Sequence, residues 1–389
     1  MRFSRRRHFD RHGDSVRFEP SMRVLHVVSE PGPAGRGVPQ KVIRTVETWR
    51  RLGIDADFID LSTGRVGATE LHTGDPFRPR FRAGWVLEMH RRAKRARRAL
   101  AEIDADLVYT RELVWSPGLK SIFDDSRVVI EVNSDRGREL RSRSRPASVF
   151  WNLTAPGVRR RAAGIVAVTG ELLERTRPNG VPGCVITNGA SVPESPPEWI
   201  DRKARPMVLM LLGSAAPWHG LDRLSSLAEA LPEFEFVVCG DLADEGPALS
   251  PLIRTEPAKT DDALAEILNQ ATVAVGSLAI SRNGMEQACP LKSRTCLAAG
   301  LPLIYGYEDP DIEGRESFAL RIKDADWATG NAVEQARHFI RRIHGEAACR
   351  RSAWQFAKKR FDHSVIERRR LDFFESIVSG RNPTASSIK

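Results

Sequence analysis

The hydrophobic residues of this chain fall into two series of short apolar runs, which alternate with segments of helical periodicity. The first series opens with RVLHVVS (residues 23–29) and the segment KVIRTVETWRRLG, where Val42, Val46 and Trp49 share one face before Gly53 ends the helix. Further apolar runs in this half are DADFIDL, DLVYTRE, RVVIEVNS, AGIVAV and CVITNG. Strands that alternate with helices in this way predict a parallel sheet covered on both faces.

A second series of the same kind follows SVPESPPEWIDRKARP (residues 191–206), a segment rich in proline and charge that we interpret as an inter-domain linker. Its predicted strands are MVLMLLGS, EFEFVVCG, ATVAVGS and LPLIYGY, and its predicted helices are GLDRLSSLAEAL, DDALAEILNQ and LKSRTCLAAG. The fold class is therefore α/β, with two Rossmann-like, doubly wound parallel-sheet domains facing a cleft. Such sheets bind ligands at the carboxyl ends of their strands.

The pattern also predicts how the chain is divided. We expect a disordered leader (1–21), an N-terminal domain (22–190), the linker (191–206), a C-terminal domain (207–350), C-terminal helices that pack back on the N-terminal domain (351–378) and a disordered tail (379–389). The leader is basic but has no apolar segment after its arginines, so it does not resemble a secretory signal. The longest apolar run, PMVLMLLG, is too short to span a bilayer.

Charge narrows the classes of partner. The 389 residues carry a net charge of +10, and 50 of the 60 basic residues are arginine, which favours bidentate phosphate and carboxylate contacts. Nucleic acid, an anionic membrane surface and phosphorylated ligands all fit such a charge. The sequence has neither zinc-finger spacing nor a basic region with heptads, so nucleic acid is not the expected partner. The basic amphipathic segment 84–103 predicts contact with anionic lipid, or else a solvated helix face.

Neither a metal site nor a disulfide framework is expected. The five cysteines are scattered without a CxxC pair, which is typical of reduced core thiols in a cytoplasm. Three DAD sequences begin at Asp55, Asp104 and Asp324, and we interpret them as turn or cap residues rather than metal ligands.

Six segments carry a family resemblance through their order and spacing. They are RVLHVVSEPGPAGRGVPQKVIRTVETWRRLGIDADFIDL, VVIEVNSDRGREL, AVTGELLERT, VITNGASVPE, LLGSAAPWHGLDRL and ACPLKSRTCLAAGLPLIYGYEDPDI. From Met22 to Val378 the chain resembles the GT-B retaining glycosyltransferases of the group-1 (glycogen-synthase-like) family. The resemblance implies transfer of a sugar from a nucleotide diphosphate donor, bound mainly by the second domain, to an acceptor held mainly by the first. It implies no metal and no other cofactor.

In the N-terminal half the resemblance points to two places. Gly35 and Gly37, in the loop after the first strand, would let the backbone approach a ligand, with the helix from Val38 directing its N-terminus at an anion; the alternative is a tight surface turn. Many family members have a histidine near Asn133, close to the donor sugar. Asn133 cannot carry a proton, but the front-face mechanism implied by the resemblance lets the leaving diphosphate deprotonate the acceptor. The alternative is that Asn133 caps the following turn.

The segment GSAAPWHG departs from the family pattern. Where much of the family has an arginine and a lysine on the diphosphate, this chain has Ser214 or Ala215, and His219. A diphosphate would raise the pKa of His219, and amides near Gly220, at a helix start, would add hydrogen bonds. The alternative is a surface histidine beside a core Trp218.

The segment MEQACPLKSRTCLAAG also departs from the pattern, which has one glutamate at the donor sugar and a second at the ribose. Here Gln287 and Thr295 take those places, while Glu286 is one step out of register. Losing charge-assisted bonds weakens donor binding by roughly 1.5–3 kcal/mol. Leu291 and Lys292, at the helix start, still offer free amides and a charge to a diphosphate; the alternative is a purely packing helix.

These residues lead to two expectations from different classes. The first is a cytoplasmic glycosyltransferase, peripheral on the inner membrane face, whose acceptor is a glycan or a lipid-linked glycan, as in cell-surface polysaccharide biosynthesis. The second is a catalytically silent GT-B homologue that binds a glycan or a partner protein. Another GT-B activity, such as nucleotide-sugar epimerisation, is a third option.

Overall fold

The computed structural model describes residues 22–28, 38–60, 84–200, 205–213, 215–240, 249–257 and 260–381. The predicted leader, Gly35, Gly37, Ser214 and residues 382–389 lie outside them. The first half builds one six-stranded sheet in the order β2-β1-β3-β4-β5-β6, with every neighbouring pair parallel. Its strands are β1 (Arg23–Val28), β2 (Asp55–Asp60), β3 (Leu107–Arg111), β4 (Val128–Val132), β5 (Gly164–Ala167) and β6 (Gly183–Val185).

The second half builds another six-stranded parallel sheet, in the order β12-β11-β10-β7-β8-β9. Its strands are β7 (Met207–Leu212), β8 (Glu235–Gly240), β9 (Ile253–Glu256), β10 (Val273–Val275), β11 (Leu303–Tyr305) and β12 (Ala319–Arg321). The chain leaves β7 toward one edge and returns at β10 to build the other edge. The crevice between the carboxyl ends of β7 and β10 is therefore the switch point at which such sheets bind ligands.

Helices cover both sheets. Val42, Val46 and Trp49, on the predicted apolar face of the first helix, are buried against the first sheet. The helices of the first half are α1 (Val38–Arg51), α2 (Gly84–Ala101), α3 (Pro117–Asp125), α4 (Arg136–Arg143), α5 (Arg145–Arg159) and α6 (Gly170–Thr176). Those of the second half are α7 (Leu221–Ala230), α8 (Asp261–Gln270), α9 (Leu291–Ala298), α10 (Asp324–Ala328), α11 (Asn331–Ile343), α12 (Ala347–Arg360) and α13 (His363–Val378).

The last two helices connect the halves. Helix α12 packs on α9, whereas α13 packs on α1. The segment between these two helices pairs with Ala190 of the first half. Ala190 N–H donates to Phe361 O at 2.9 Å, and Ala190 O accepts from His363 N at 3.0 Å. Trp49 Nε1 donates to Glu367 Oε2 at 2.8 Å, which ties α13 to the core of the first half. The C-terminal segment thus fastens the two sheets to each other.

Among the described residues, no helix is long and apolar enough to cross a membrane. In the same part of the chain, no group of three or more histidine, cysteine, aspartate or glutamate side chains is placed to hold a metal ion.

Candidate active site

A cavity of about 240 Å³ lies between the two sheets, at the carboxyl ends of their strands. The second half supplies the ends of β7 and β10, the switch point of its sheet, together with the start of α9. The first half supplies side chains from α1, the end of β3, and the segments after β4 and β6. The residues that line it include Lys41, Arg111, Asn133, Asn188, His219, Gly276, Ser277, Cys289, Leu291 and Lys292.

Small residues let α9 approach the strand ends. A Cβ on Gly276, just after β10, would lie 3.0 Å from Ser293 Oγ, and one on Gly213, just after β7, would lie 3.3 Å from Lys292 Nζ. Because both positions are glycine, the first turn of α9 can sit directly against the strand ends. The sheet thereby places the helix start at the cavity.

The start of α9 has the properties of an anion site. Pro290 precedes the helix and offers no side-chain cap, so the first-turn amides have no partner from the cap residue. Free amides and the helix dipole both favour an anion there. Leu291 and Lys292 line the cavity, and burial lowers the pKa of Lys292 to about 8. Near pH 7 this lysine is therefore still charged.

His219 lies on the same cavity, at the end of a 3-10 turn (Pro217–His219). Its Nδ1 lies 3.0 Å from Ser277 Oγ. Burial, helped by the charge of Lys292, lowers the pKa of His219 to about 4. The ring is therefore neutral near pH 7 and acts as a hydrogen-bonding group. A diphosphate would have to overcome both effects to give His219 the positive charge considered from the sequence.

Gly220 links this turn to helix α7 and has a structural role there. Its φ of 72° lies in the left-handed region, and it is the N-cap of α7. Its N–H donates to Pro217 O at 3.2 Å, so that amide is used within the turn. Gly220 does not line the cavity, and the neighbouring Ala215 is half-buried against the core.

Gln287 and Glu286 lie on a loop that contacts α6 of the first half. Gln287 Oε1 accepts a hydrogen bond from Glu171 N at 2.9 Å. In return, Glu171 Oε2 accepts from Gln287 N at 2.8 Å and from Glu286 N at 2.9 Å. The Glu286 residue is exposed and lines a separate, acidic cleft of about 560 Å³ with Glu171, Glu174 and Glu308.

Thr295 lies one turn into α9. Its Oγ1 donates to Leu291 O at 3.1 Å, a bond within its own helix. It is half-buried and lines neither the cavity between the sheets nor the acidic cleft. The structure therefore brings Lys292, Leu291, His219 and Asn133 to one cavity but leaves Thr295 outside it.

The N-terminal wall contains a buried ion pair that the sequence did not predict. Lys41 Nζ, on α1, donates to Glu131 Oε1 at 2.7 Å, to Asn188 Oδ1 at 2.9 Å and to Asn133 Oδ1 at 3.4 Å. Burial acts to raise the pKa of Glu131, but the charges of Lys41 and Arg370 outweigh it and hold that pKa well below its usual range. Asn133 thus receives a bond from Lys41, while Asp135, not Asn133, caps the following helix.

Direct bonds hold the two halves together around this cavity. Asn188 Nδ2 donates to Cys289 O at 2.6 Å, and Asn188 N donates to Cys289 Sγ at 3.2 Å. Gly284 O accepts from Arg138 Nη1 at 2.8 Å and from Arg175 Nη2 at 2.9 Å. The two halves are therefore in direct contact beside the cavity.

Comparisons with known proteins place this geometry among solved structures. No family model matches the sequence, and no curated protein matches it. The chain is similar to sucrose-phosphate synthase from Thermosynechococcus elongatus (12% identity, 92% of this chain and 100% of that one, TM-score 0.70). It is also similar to a glycosyltransferase from Rickettsia africae ESF-5 (15%, 93% and 99%, 0.63) and to the pneumococcal O-GlcNAc transferase GtfA in complex with UDP and GlcNAc (11%, 92% and 99%, 0.59). The chain therefore has the GT-B fold, two Rossmann-like parallel-sheet domains that face each other across a cleft.

Proposed function

We propose that this protein is a glycosyltransferase that moves a sugar from a nucleotide diphosphate sugar to an acceptor. The observation that carries the proposal is the cavity at the switch point, where Lys292 and the uncapped start of α9 meet the ends of β7 and β10. A cation beside free helix amides suits a diphosphate. Structurally similar proteins were solved with UDP, and one with UDP-glucose.

Each half of the chain would bind one of the two substrates. The C-terminal domain (207–350) would hold the donor and the N-terminal domain (22–190) the acceptor. The side-chain amide of Asn133 does not ionise, so it cannot act as a general acid or base. This suits a retaining mechanism in which the leaving diphosphate is the base and no metal takes part. The exposed basic side chains of α2 would contact an anionic membrane surface. These side chains are Arg91, Lys94, Arg95, Arg97 and Arg98. The acceptor would then be a lipid-linked glycan at the cytoplasmic face, as in cell-surface polysaccharide biosynthesis.

A donor screen tests the proposal. UDP-, GDP- and ADP-sugars should be offered to the full chain in thermal-shift and transfer assays, and one nucleotide series should bind. Lys292→Met should then weaken binding of that donor by about ten- to a hundredfold, because the substitution removes one charge-assisted contact worth about 1.5–3 kcal/mol. Lys120→Met, at an exposed lysine paired with Asp124, is the matched control and should bind normally. If no donor bound or was turned over, the proposal that this protein is a glycosyltransferase would be refuted.

The pKa of Lys292 predicts how donor affinity depends on pH. In the free protein this pKa is about 8, and a bound diphosphate stabilises the protonated form and raises it. Above pH 8 the free lysine loses its proton, so binding must recover one and the affinity should fall by about tenfold per pH unit. Titration calorimetry at pH 7, 8 and 9 measures this. Lys292→Met should show a flat profile, and a flat wild-type profile would contradict the assignment.

The second candidate function is a catalytically silent homologue that binds a glycan or a partner protein. Two observations favour it: Gln287 Oε1 is bonded to Glu171, and the Thr295 hydroxyl donates within its own helix. The donor screen separates the candidates. A silent protein would bind no donor, or would gain binding only in the double variant Gln287→Glu with Thr295→Glu, whereas the enzyme binds a donor as wild type.

A further inference from the structure

The side-chain amide of Gln287 has a fixed orientation. Its oxygen accepts from the backbone N–H of Glu171 at 2.9 Å. Reversing the amide would set its NH₂ group against that N–H, donor against donor, so the hydrogen-bond partner decides the assignment. Nε2 makes no hydrogen bond within the part of the chain that the structure describes. A glutamate would present an acceptor here, but this chain presents a donor.

Asn133 repeats this arrangement on the opposite wall. Its Oδ1 accepts from Lys41 Nζ at 3.4 Å, and the reversed amide would place NH₂ against an ammonium group. Its Nδ2 is buried and has no hydrogen-bond partner among the described residues. An unpaired buried donor costs about 1–3 kcal/mol, so an acceptor atom supplied by a ligand would be favourable.

Both amides line one cavity of about 150 Å³, which continues the cavity of Lys292. The two cavities share Asn133, His219, Ser277, Cys289 and Pro290 in their walls. A diphosphate at the start of α9 would therefore place its attached sugar beside Gln287 and Asn133.

The remaining walls combine apolar and acidic groups. The apolar group comes from both halves of the chain and consists of Val168, Leu172, Trp218, Ile280 and Met285. Asp135 and Glu139 also line the cavity, and none of the described residues in its wall is a lysine or an arginine. Asp135 is paired with Arg138 at 3.2 Å and Arg175 at 3.7 Å, so its charge is largely compensated. With His219 neutral, a negatively charged group on the sugar would gain no ion pair from the described side chains that line this cavity.

We propose that this cavity selects a donor sugar bearing an N-acyl group, such as an N-acetylhexosamine, and that Gln287 and Asn133 determine this specificity. A carbonyl oxygen has two lone pairs and no proton, so it can accept from both amides. A hydroxyl would also have to direct its own proton away from them. The acyl methyl group would pack on the apolar wall. This inference rests on the proposed function, because it needs the diphosphate at α9.

The test compares matched donors on the full chain. Titration calorimetry with UDP-N-acetylglucosamine, UDP-glucose, UDP-glucuronate and UDP alone should show the acetamido donor binding at least tenfold more tightly than the other two sugars. If UDP does not bind, the GDP or ADP series is used. Gln287→Glu and Asn133→Asp turn a donor into an acceptor, so each should reduce the preference about tenfold. The preference is a ratio of two donor affinities, so any change in nucleotide binding that both donors share cancels. Gln355→Glu, on the exposed face of α12, is the control and should keep the preference.

The possible results distinguish failure of the N-acyl specificity from failure of the proposed glycosyltransferase function. A wild-type preference below tenfold, or one that either variant retains, would overturn the inference while the nucleotide still bound and the proposed function stood. If none of UDP, GDP and ADP bound, the proposed function would fail and the inference with it.

Discussion

Replacing Glu131 by glutamine is expected to lower the free energy of unfolding by about 3–5 kcal/mol, because removing one member of a buried ion pair leaves its partner charged and unpaired. The Glu131 side chain is 1% exposed and lies 2.7 Å from Lys41 Nζ and 3.7 Å from Arg370 Nη2. Arg370 also binds Glu367, which in turn accepts from Trp49. Urea unfolding of wild type and variant measures the loss.

The surface provides a matched control for Glu131. Glu233 is also flanked by two cations, with Arg337 at 3.2 Å and Arg341 at 3.1 Å, but its side chain is 35% exposed. Glu233→Gln should therefore cost no more than about 1 kcal/mol. A similar loss in both variants would contradict the role given to burial.

The low pKa of Glu131 predicts a pH dependence of the loss. A carboxylate whose folded pKa is depressed stabilises the native state above its unfolded pKa of about 4.3, and this stabilisation is lost as pH falls through the folded value. The difference between wild type and Glu131→Gln should therefore be full at pH 6–7 and shrink below about pH 4. A difference that grew in acid would contradict the ion pair.

The sequence predicted the fold well because apolar content and strand position coincide. The run MVLMLLG became β7 with nearly every residue buried, and LKSRTCLAAG became α9. Strand β9 was not predicted, since only Ile253 of its four residues is buried and an edge strand needs no apolar run. Helix α4 (RGRELRSR) was missed because it has only one large apolar residue and hence no periodic stripe.

The candidate site could be predicted only in part. Leu291 and Lys292 begin α9, and His219 lies in the connection between β7 and α7. Both places belong to strand-to-helix connections, where a parallel sheet binds its ligands, and each lies within a short motif that carries the family resemblance, so the sequence pointed to them. Lys41 and Glu131 are 90 residues apart, and Lys41 and Asn188 are 147 apart. No pattern of short spacing connects such residues, because only the assembled fold brings them together. The orientation of Gln287 likewise depends on Glu171, 116 residues away.

Arg294→Met should cost about 3–5 kcal/mol of unfolding free energy and also weaken nucleotide binding. The Arg294 side chain is fully buried on α9, two residues after Lys292. Its guanidinium donates to both oxygens of Asp309 at 2.9 and 2.8 Å and to Asp311 Oδ2 at 2.7 Å, and it lies 4.6 Å from the centre of the Phe361 ring. Methionine fills much of the same volume but leaves two carboxylates without their cation.

The effect on binding follows from where Arg294 holds the helix. Its partners lie on the segment after β11 and at the junction of α12 and α13, so it fixes the start of α9 against the strand ends that line the cavity. The surface pair Arg282–Asp222 is equally bidentate, at 2.7 Å and 2.7 Å, but both side chains are exposed. Arg282→Met should therefore cost no more than about 1 kcal/mol and change nucleotide affinity far less than Arg294→Met, although Arg282 Nη1 also donates to Pro217 O at 3.2 Å. Unfolding and calorimetry of both variants test this, and normal affinity in folded Arg294→Met would show that the cavity does not depend on this anchor.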